Sequence, residues 1–368
     1  MRAWVDIEMD NLLFNLKKVG EKVPGAEIIA IVKADAYSLG SVEITKFLAK
    51  NGINIFAVAS IDEAMELRDA GISKEILVLG ILLDEEIKQA AQNSIQITVG
   101  NWEQLKFIKE NKIDVGIHVK IDTGMGRLGF APEEGEKAID WALENGVKVM
   151  GIYSHLSDAD GFNEAADRYT LNQISKFEAF DKYRDRVKYL HILNSGGILR
   201  FSSGYTGNAV RPGICMYGML GASIVKGFKR VFTVKTKILA IRTAKEEMTI
   251  SYGRHGIIHK GESYVTIGMG YADGMKKDFS GKSYVIIAGE KCPLIGEICM
   301  DMCMAKIPDT VKEKISLGDE VIVLRDDIIE DMTIDHKCAC DLLTGIGNRV
   351  YRVYKRDGHP YLIDRWGV

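Results

Sequence analysis

Short runs of aliphatic and β-branched residues alternate with helical spacing as far as about Met219. Ile28–Val32 is apolar throughout, as a parallel strand covered on both faces should be. Val42–Asn51 reads as a helix closed by Gly52. Ile53–Val58 reads as a strand. Ile61–Ala70 reads as a helix, with Asp62 and Glu63 in its first turn and Gly71 beyond its end. Ile76–Leu79 is the next strand and Asp84–Gln92 the next helix. Ile95–Val99, Asp114–Ile121, Val147–Ser154, Tyr189–Leu193 and Ala209–Met216 continue the strands, with helical segments between them. About eight βα units in one run is the count of a closed (β/α)8 TIM-type barrel. An open doubly wound sheet is the alternative, but no GxGxxG follows the first strand.

From about Arg230 the period changes to alternation. Phe232–Arg242, Ser263–Ile267, Ser283–Ala288, Met302–Ile307 and Asp319–Leu324 read as antiparallel strands joined by polar turns. The chain therefore reads as α/β, with a barrel over 1–228 and a mostly antiparallel β domain over 229–368. A length of 368 residues also favours two cores over one. The run Arg325–Asp331 reads as a solvated loop.

Composition narrows the function classes. Hydrophobic residues make up 46% and charged residues 27%, as in a soluble globular protein. The net charge of −3 argues against a nucleic-acid or anionic-membrane partner. No apolar run reaches the roughly 18 to 20 residues of a membrane helix. Met1-Arg-Ala-Trp4 leads straight into folded-looking sequence, which suggests no leader and a cytoplasmic location. Cys215, Cys292, Cys299, Cys303, Cys338 and Cys340 lack the paired spacing of a zinc site, so they read as free thiols and no metal is expected.

The candidate chemistry sits at strand ends. Lys33 ends the Ile28 run, where it either marks the strand end towards water or is desolvated and able to form a Schiff base. Lys120-Ile-Asp-Thr-Gly-Met-Gly-Arg127, Tyr153-Ser-His155, Asn194-Ser195-Gly-Gly and Arg211-Pro-Gly-Ile214 follow later strands. Taken singly, each has a plain structural explanation: a rim ion pair for Asp122 and Arg127, a core histidine for His155, a helix cap for Asn194. In a barrel, all these ends meet at the face that carries catalysis. Ser195-Gly-Gly opening a helix, together with Gly213 and Ile214, suits a phosphate. A reactive lysine beside a phosphate cradle suggests pyridoxal phosphate.

Val32-Lys-Ala-Asp-Ala-Tyr37, Ile121-Asp-Thr-Gly-Met-Gly-Arg-Leu-Gly129, Val210-Arg-Pro-Gly-Ile214, Ile250-Ser-Tyr-Gly-Arg254 and Ile298-Cys-Met-Asp301 occur in that order. Together they resemble the alanine racemase family of pyridoxal-phosphate enzymes over nearly the whole chain. The resemblance implies a barrel followed by a β domain, and a head-to-tail homodimer with a shared active site. It implies two bases: Lys33, which also holds the cofactor, and Tyr252 from the other subunit. A phenol serves as a base only when its pKa falls below the usual ~10. The resemblance also places His155 near Tyr252 and Arg211 beside His155, with Arg211 on the ring nitrogen. Tyr37, Asn194, Ser195, Gly213 and Ile214 would hold the cofactor. Arg127, Met300, Tyr271 and Asn348 would face the substrate, with Lys120 and Asp301 as support. Lys120 matches a lysine that is carbamylated in many members. The product would be D-amino acid for peptidoglycan precursors.

The chain departs from the family pattern at several points. Asp35 stands where many members have asparagine, Ser38-Leu39 replaces Gly-His, and Gly196-Gly197 replaces Ala-Ala. In Gly347-Asn-Arg-Val-Tyr-Arg352, Asn348 occupies a position that is often tyrosine. An asparagine there leaves room for a hydroxymethyl group and can bond it. Serine racemases of vancomycin-resistance systems, cytoplasmic parts of larger membrane proteins, resemble this pattern and stand as an alternative. A pyridoxal-phosphate carrier lacks a β domain with a Tyr252. A basic amino-acid decarboxylase shares both domains, but the context around Tyr252 and Asp301 fits racemases better.

Overall fold

The computed structural model describes residues 1–219, 227–325, 328 and 339–364. The chain opens on strand β1, Ala3–Glu8, followed by a helix over Met9–Lys22. Eight parallel strands then form one unit: β2 (Glu27–Ile31), β3 (Ile55–Val58), β4 (Glu75–Ile81), β5 (Gln96–Val99), β6 (Ile117–Lys120), β7 (Val149–Tyr153), β8 (Tyr189–His191) and β9 (Ala209–Val210). Their order is β8-β7-β6-β5-β4-β3-β2-β9. The Asn208 and Arg211 N–H groups donate to the Leu190 and Leu193 carbonyls (3.0 Å each), which brings the last strand against the chain of β8. Every position of β3, β5 and β6 is buried, which is why β3 reads as a continuous apolar run, while β5 and β6 carry buried polar residues within theirs. Ser60, Asn101 and Asn163 cap three of the intervening helices through their side chains.

The expected strand over Ala209–Met216 is cut to Ala209–Val210, and a 3-10 turn follows over Ile214–Tyr217. Pro212 has no N–H to give a ladder, and Gly213 leaves strand geometry at φ −112°, ψ −103°.

The second unit comprises residues 1–11, 37–40 and the described residues from Arg230 onward. Its strands are β1, β10 (Phe232–Thr243), β11 (Met248–Ile250), β12 (Gly256–Ile258), β13 (Ser263–Ile267), β14 (Tyr284–Ile287), β15 (Glu290–Ile295), β16 (Cys303–Ile307), β17 (Glu320–Leu324), β18 (Tyr351–Arg356) and β19 (His359–Asp364). Nine of them form one sheet in the order β13-β16-β15-β14-β17-β10-β1-β18-β19. The long β10 pairs with β1 and β17 along its first half and with β13 along its second, so six strands close into a ring. β11 and β12 form a separate hairpin.

A single division between 228 and 229 thus misplaces β1, which belongs with the antiparallel sheet. Its partners β10 and β18 lie far along the chain, beyond any local pattern. Its buried Asp6 is paired with Lys235 (2.9 Å) and Lys355 (2.8 Å), which offsets the cost of burying the charge. Residues 37–40 are tied to this unit by Arg352 Nε, which donates to the Ser38 carbonyl (3.0 Å), and by Tyr354 Oη, which donates to the Leu39 carbonyl (3.1 Å). Cys215, Cys292, Cys299, Cys303 and Cys340 are free thiols. Cys338 and most of the run after Arg325 lie outside the described residues.

Candidate active site

Lys33 begins a short helical turn, Lys33–Ser38, directly after β2. The turn is left-handed: Ala34, Asp35, Ala36, Tyr37 and Ser38 all have φ between 50° and 61°. None is glycine, so each carries a cost of about 1–2 kcal/mol. Such strain persists only where surrounding contacts enforce it. Glu63 supplies one of them, its carboxylate accepting from the Ala34 N–H (2.7 Å) while its other oxygen accepts from the Ala59 N–H (2.6 Å). Asp35 Oδ1 accepts from Ser41 N–H (2.7 Å) and starts the helix Ser41–Lys50. The acid that departs from the family pattern therefore acts as a hydrogen-bond acceptor.

Arg211 follows β9 and is almost wholly buried, at 3% exposure. Its Nη1 donates to His191 Nδ1 (2.6 Å) and to the His191 carbonyl (3.0 Å). Its Nη2 donates to the carbonyls of Ser154 (2.6 Å) and Ile192 (3.1 Å) and lies 3.3 Å from His155 Nδ1. Both terminal nitrogens are thus committed, and among the described residues Nε–H makes none of these bonds. Burial draws Arg211 down to about 10, so it stays charged at neutral pH. Burial first, then the charges of Arg211, Arg127, Lys120 and Lys33, holds His155 well below its ordinary value. His155 is therefore a neutral imidazole beside fixed cations.

Ser195 and Gly213 are brought together. Ser195 Oγ accepts from the N–H groups of Gly213 (3.0 Å) and Cys215 (3.2 Å), which packs the Arg211–Ile214 turn onto the helix Ser195–Arg200. Asn194 caps that helix, accepting from Gly197 N–H (3.0 Å) and donating to the Leu156 carbonyl (3.1 Å). The paired glycines have a packing reason. A Cβ on Gly196 would stand 2.9 Å from the Ala159 backbone, and one on Gly197 would stand 2.7 Å from Leu156 Cδ1.

Lys120 ends β6, with Nζ donating to the Ile121 carbonyl (2.8 Å) 5.4 Å above the Tyr153 ring. Burial chiefly, then the Arg211 charge, lowers it to about 7, so much of it is free amine at neutral pH. The following loop is shaped by Asp122 Oδ1, which accepts from the N–H groups of Gly124, Met125 and Gly126. Arg127 leaves this loop exposed. Gly129 closes it at φ 110°, and a Cβ there would meet the Lys120 carbonyl at 2.6 Å.

The other expected residues belong to the antiparallel unit. Tyr252 is 71% exposed on the β11–β12 hairpin, after Ser251 at φ 68°. Tyr271 N–H donates to the Cys299 carbonyl and Ala272 N–H to the Met300 carbonyl (3.0 Å each), which gathers Tyr271, Met300 and Asp301. Gly347 N–H donates to the Asp273 carbonyl (3.1 Å), which brings the exposed Asn348 to the same group of loops. Asp301 pairs with Arg349 (2.8 Å), which also holds Asp273 (2.9 Å). Tyr37 is buried and counted with this unit.

Sequence reasoning missed the role of Glu63, which looks like any first-turn helix acid, and it missed Gln96, His118 and His191. The signal of these three was a polar residue at a strand position whose neighbours are apolar, as in Ile117-His-Val. The structure adds that the lone polar residue faces inward.

The donor set fits pyridoxal phosphate. Lys33 offers an amine for an aldehyde, and the Arg211 Nε–H is left over for a ligand acceptor beside a neutral His155. A sequence model of the alanine racemase N-terminal domain matches residues 7–221, and one of the C-terminal domain matches residues 231–354. An alanine racemase of Fusobacterium nucleatum is 40% identical over 96% of this chain and 99% of its own length. A solved alanine racemase of Clostridium difficile 630 superposes with a TM-score of 0.90 at 31% identity, over 100% of this chain and 99% of that one. The same protein in complex with cycloserine gives a TM-score of 0.88 at 29% identity, over the same shares of each chain.

Proposed function

The chain belongs to the alanine racemase family of pyridoxal-phosphate-dependent isomerases, and from that premise we propose that it interconverts L- and D-alanine by two opposed bases. The observation that carries the reading is the committed Arg211 beside a strand-end lysine in an enforced left-handed turn. When bound, pyridoxal phosphate withdraws electrons from the substrate Cα–H bond and makes that proton removable. Lys33 Nζ holds the cofactor and moves the proton on one face of Cα. Tyr252 Oη, from a second copy of the chain, moves it on the other. Its exposure on a small hairpin suits a phenol presented to another subunit. Arg211 would hold the ring nitrogen through Nε–H without giving up its proton, which an arginine cannot do at neutral pH. By keeping its own proton, Arg211 would leave that nitrogen unprotonated and so disfavour transamination.

Tyr37, Asn194, Ser195, Gly213 and Ile214 hold the phosphate end, by hydroxyl or by backbone N–H. Arg127 would orient the substrate carboxylate together with the Met300 backbone of a second copy, whose Tyr271 would line the same place. Lys120, partly free amine at neutral pH, is a candidate for carbamylation, which would make it an anionic brace for Arg127. Asp301 fixes the Met300 loop through Arg349. We place the product, D-alanine, in the supply of peptidoglycan precursors.

A second substrate, serine, is favoured by Asn348, whose exposed amide sits on the loops that carry Tyr271 and Met300. The test is kcat/KM for L-alanine and L-serine, on the wild type and on Asn348→Tyr. Turnover of alanine supports the reading, and its absence with bound cofactor would end it. Selective loss of serine turnover in Asn348→Tyr assigns Asn348 to specificity. An unchanged ratio removes it from that role.

A further inference from the structure

The barrel interior carries a line of polar side chains of which the proposed reaction uses only the first, Arg211. It starts at Arg211, at the C-terminal end of β9, and ends at Glu75, at the N-terminal end of β4. Arg211 Nη1 faces His191 Nδ1 at 2.6 Å, and His191 Nε2 lies 3.0 Å from His118 Nδ1. His118 Nε2 lies 2.7 Å from Gln96 Oε1, and Gln96 Nε2 donates to Glu75 Oε2 (2.6 Å). Both histidines are fully buried, and all four ring nitrogens have one partner each in this line.

Geometry and chemistry fix its direction. A guanidinium only donates, so His191 Nδ1 must accept and the His191 proton sits on Nε2. His118 Nδ1 then accepts, and the His118 proton sits on its own Nε2. Gln96 Oε1 accepts that proton, and its NH2 faces Glu75. The far end enforces the same direction independently, because an ionised carboxylate only accepts. Glu75 also receives Tyr189 Oη (3.1 Å) and pairs with Lys188. Burial works against its charge, but the bonds from Lys188 and Gln96 hold it below the usual carboxylate value. Burial, then the charges of Arg211 and Lys188, holds His118 down at about 3, so its ring carries a single proton. The chain reserves space for the pair: a Cβ on Gly151 would stand 2.5 Å from His118 Nδ1. His118 stacks on Tyr189 at 5.6 Å, and His191 lies flat against Tyr153 at 4.9 Å.

We propose that Glu75 is a positioning residue for Arg211, acting through Gln96, His118 and His191, whose ring protons the two ends fix in one direction. Every link presents a lone pair towards Arg211, which holds the guanidinium from below and keeps Nε–H free for a ligand. The inference rests on the racemase reading only for its kinetic consequence.

The test is nitrogen-15 NMR of histidine-labelled holoenzyme, which reports ring tautomers. The wild type should show His118 and His191 as neutral Nε2–H tautomers. Arg211→Met should keep both, because Glu75 alone still sets the direction. Arg211→Met combined with Glu75→Gln should give mixed tautomers. If Arg211→Met does not fold, Arg211→Gln serves, since an amide accepts either direction. In Glu75→Gln alone Arg211 still fixes both tautomers, but the row loses its anionic end and accepts less strongly from Arg211, so kcat should fall about 2- to 30-fold with a smaller change in KM, and an unchanged kcat would overturn the positioning role. An Nδ1–H tautomer in the wild type, or scrambling in the Arg211 variant alone, would overturn the proposal. A wild type without racemase activity would sink the racemase reading, and the tautomers would still decide this one.

Discussion

The two units supply their candidate chemistry in opposite ways. In the barrel unit two of the working groups are buried and already committed: Arg211 has both terminal nitrogens engaged, and Lys120 sits at 4% exposure. In the antiparallel unit they are exposed on turns: Tyr252 at 71%, Met300 at 52%, Tyr271 at 40%. Buried groups act through preorganised electrostatics in low dielectric, at no cost of rearrangement when reaction occurs. Exposed groups need another surface to become desolvated. The exposed groups of the antiparallel unit are the ones that the proposed second subunit would desolvate.

The contrast can be broken, and the largest effect is expected at Lys33. Lys33→Ala should lower kcat/KM for alanine about 10⁴-fold. Borohydride treatment should then no longer fix the cofactor to the chain, as read by mass spectrometry. Retained trapping would put the cofactor on another lysine.

The next effect concerns the barrel alone. His118, His155 and His191 are all held below their ordinary values by burial, His118 down to about 3. The unfolded chain therefore binds more protons than the folded one between about pH 6.5 and pH 3. Stability should be intact above pH 6.5 and should fall as pH drops below it, by up to about 1.4 kcal/mol per pH unit for each histidine. Denaturant unfolding from pH 8 to pH 4 checks this, and a flat profile would mean that the histidines are protonated in place.

Lys120 sharpens the comparison on the alkaline side. Its folded value of about 7 lies below the ordinary lysine value of about 10.5, so its burial costs stability at neutral pH and less as pH rises between the two. Lys120→Met should flatten the rise in stability over that window. The smallest effect belongs to the exposed unit. Asn348→Tyr should leave stability within about 0.5 kcal/mol, as surface changes usually do, while shifting the serine-to-alanine ratio.

Much of this was legible in the sequence. Strands buried on both faces announced themselves as unbroken apolar runs, and Lys33, His155, Ser195 and Arg211 stood out because each follows such a run. The assignment of β1 was not legible, since its pairing with β10 and β18 depends on residues far along the chain. Nor was the left-handed turn, because Ala34, Asp35 and Ala36 carry no glycine signal and take that form only under outside restraint. Glu63 looked like an ordinary first-turn acid, but it caps two backbone N–H groups outside its own helix. Gln96, His118 and His191 were hidden for a related reason: an inward polar residue in an apolar strand declares itself only when its partner on a neighbouring strand is known.

The central claim is that two bases on opposite faces, one from each kind of unit, divide the work. Its most direct test is deuterium incorporation at Cα in heavy water with Tyr252→Phe, starting separately from L-alanine and D-alanine. The account predicts that exchange from L-alanine slows at least about 10²-fold while exchange from D-alanine, served by Lys33, persists. Equal rates from both enantiomers, matching the wild type, would contradict it.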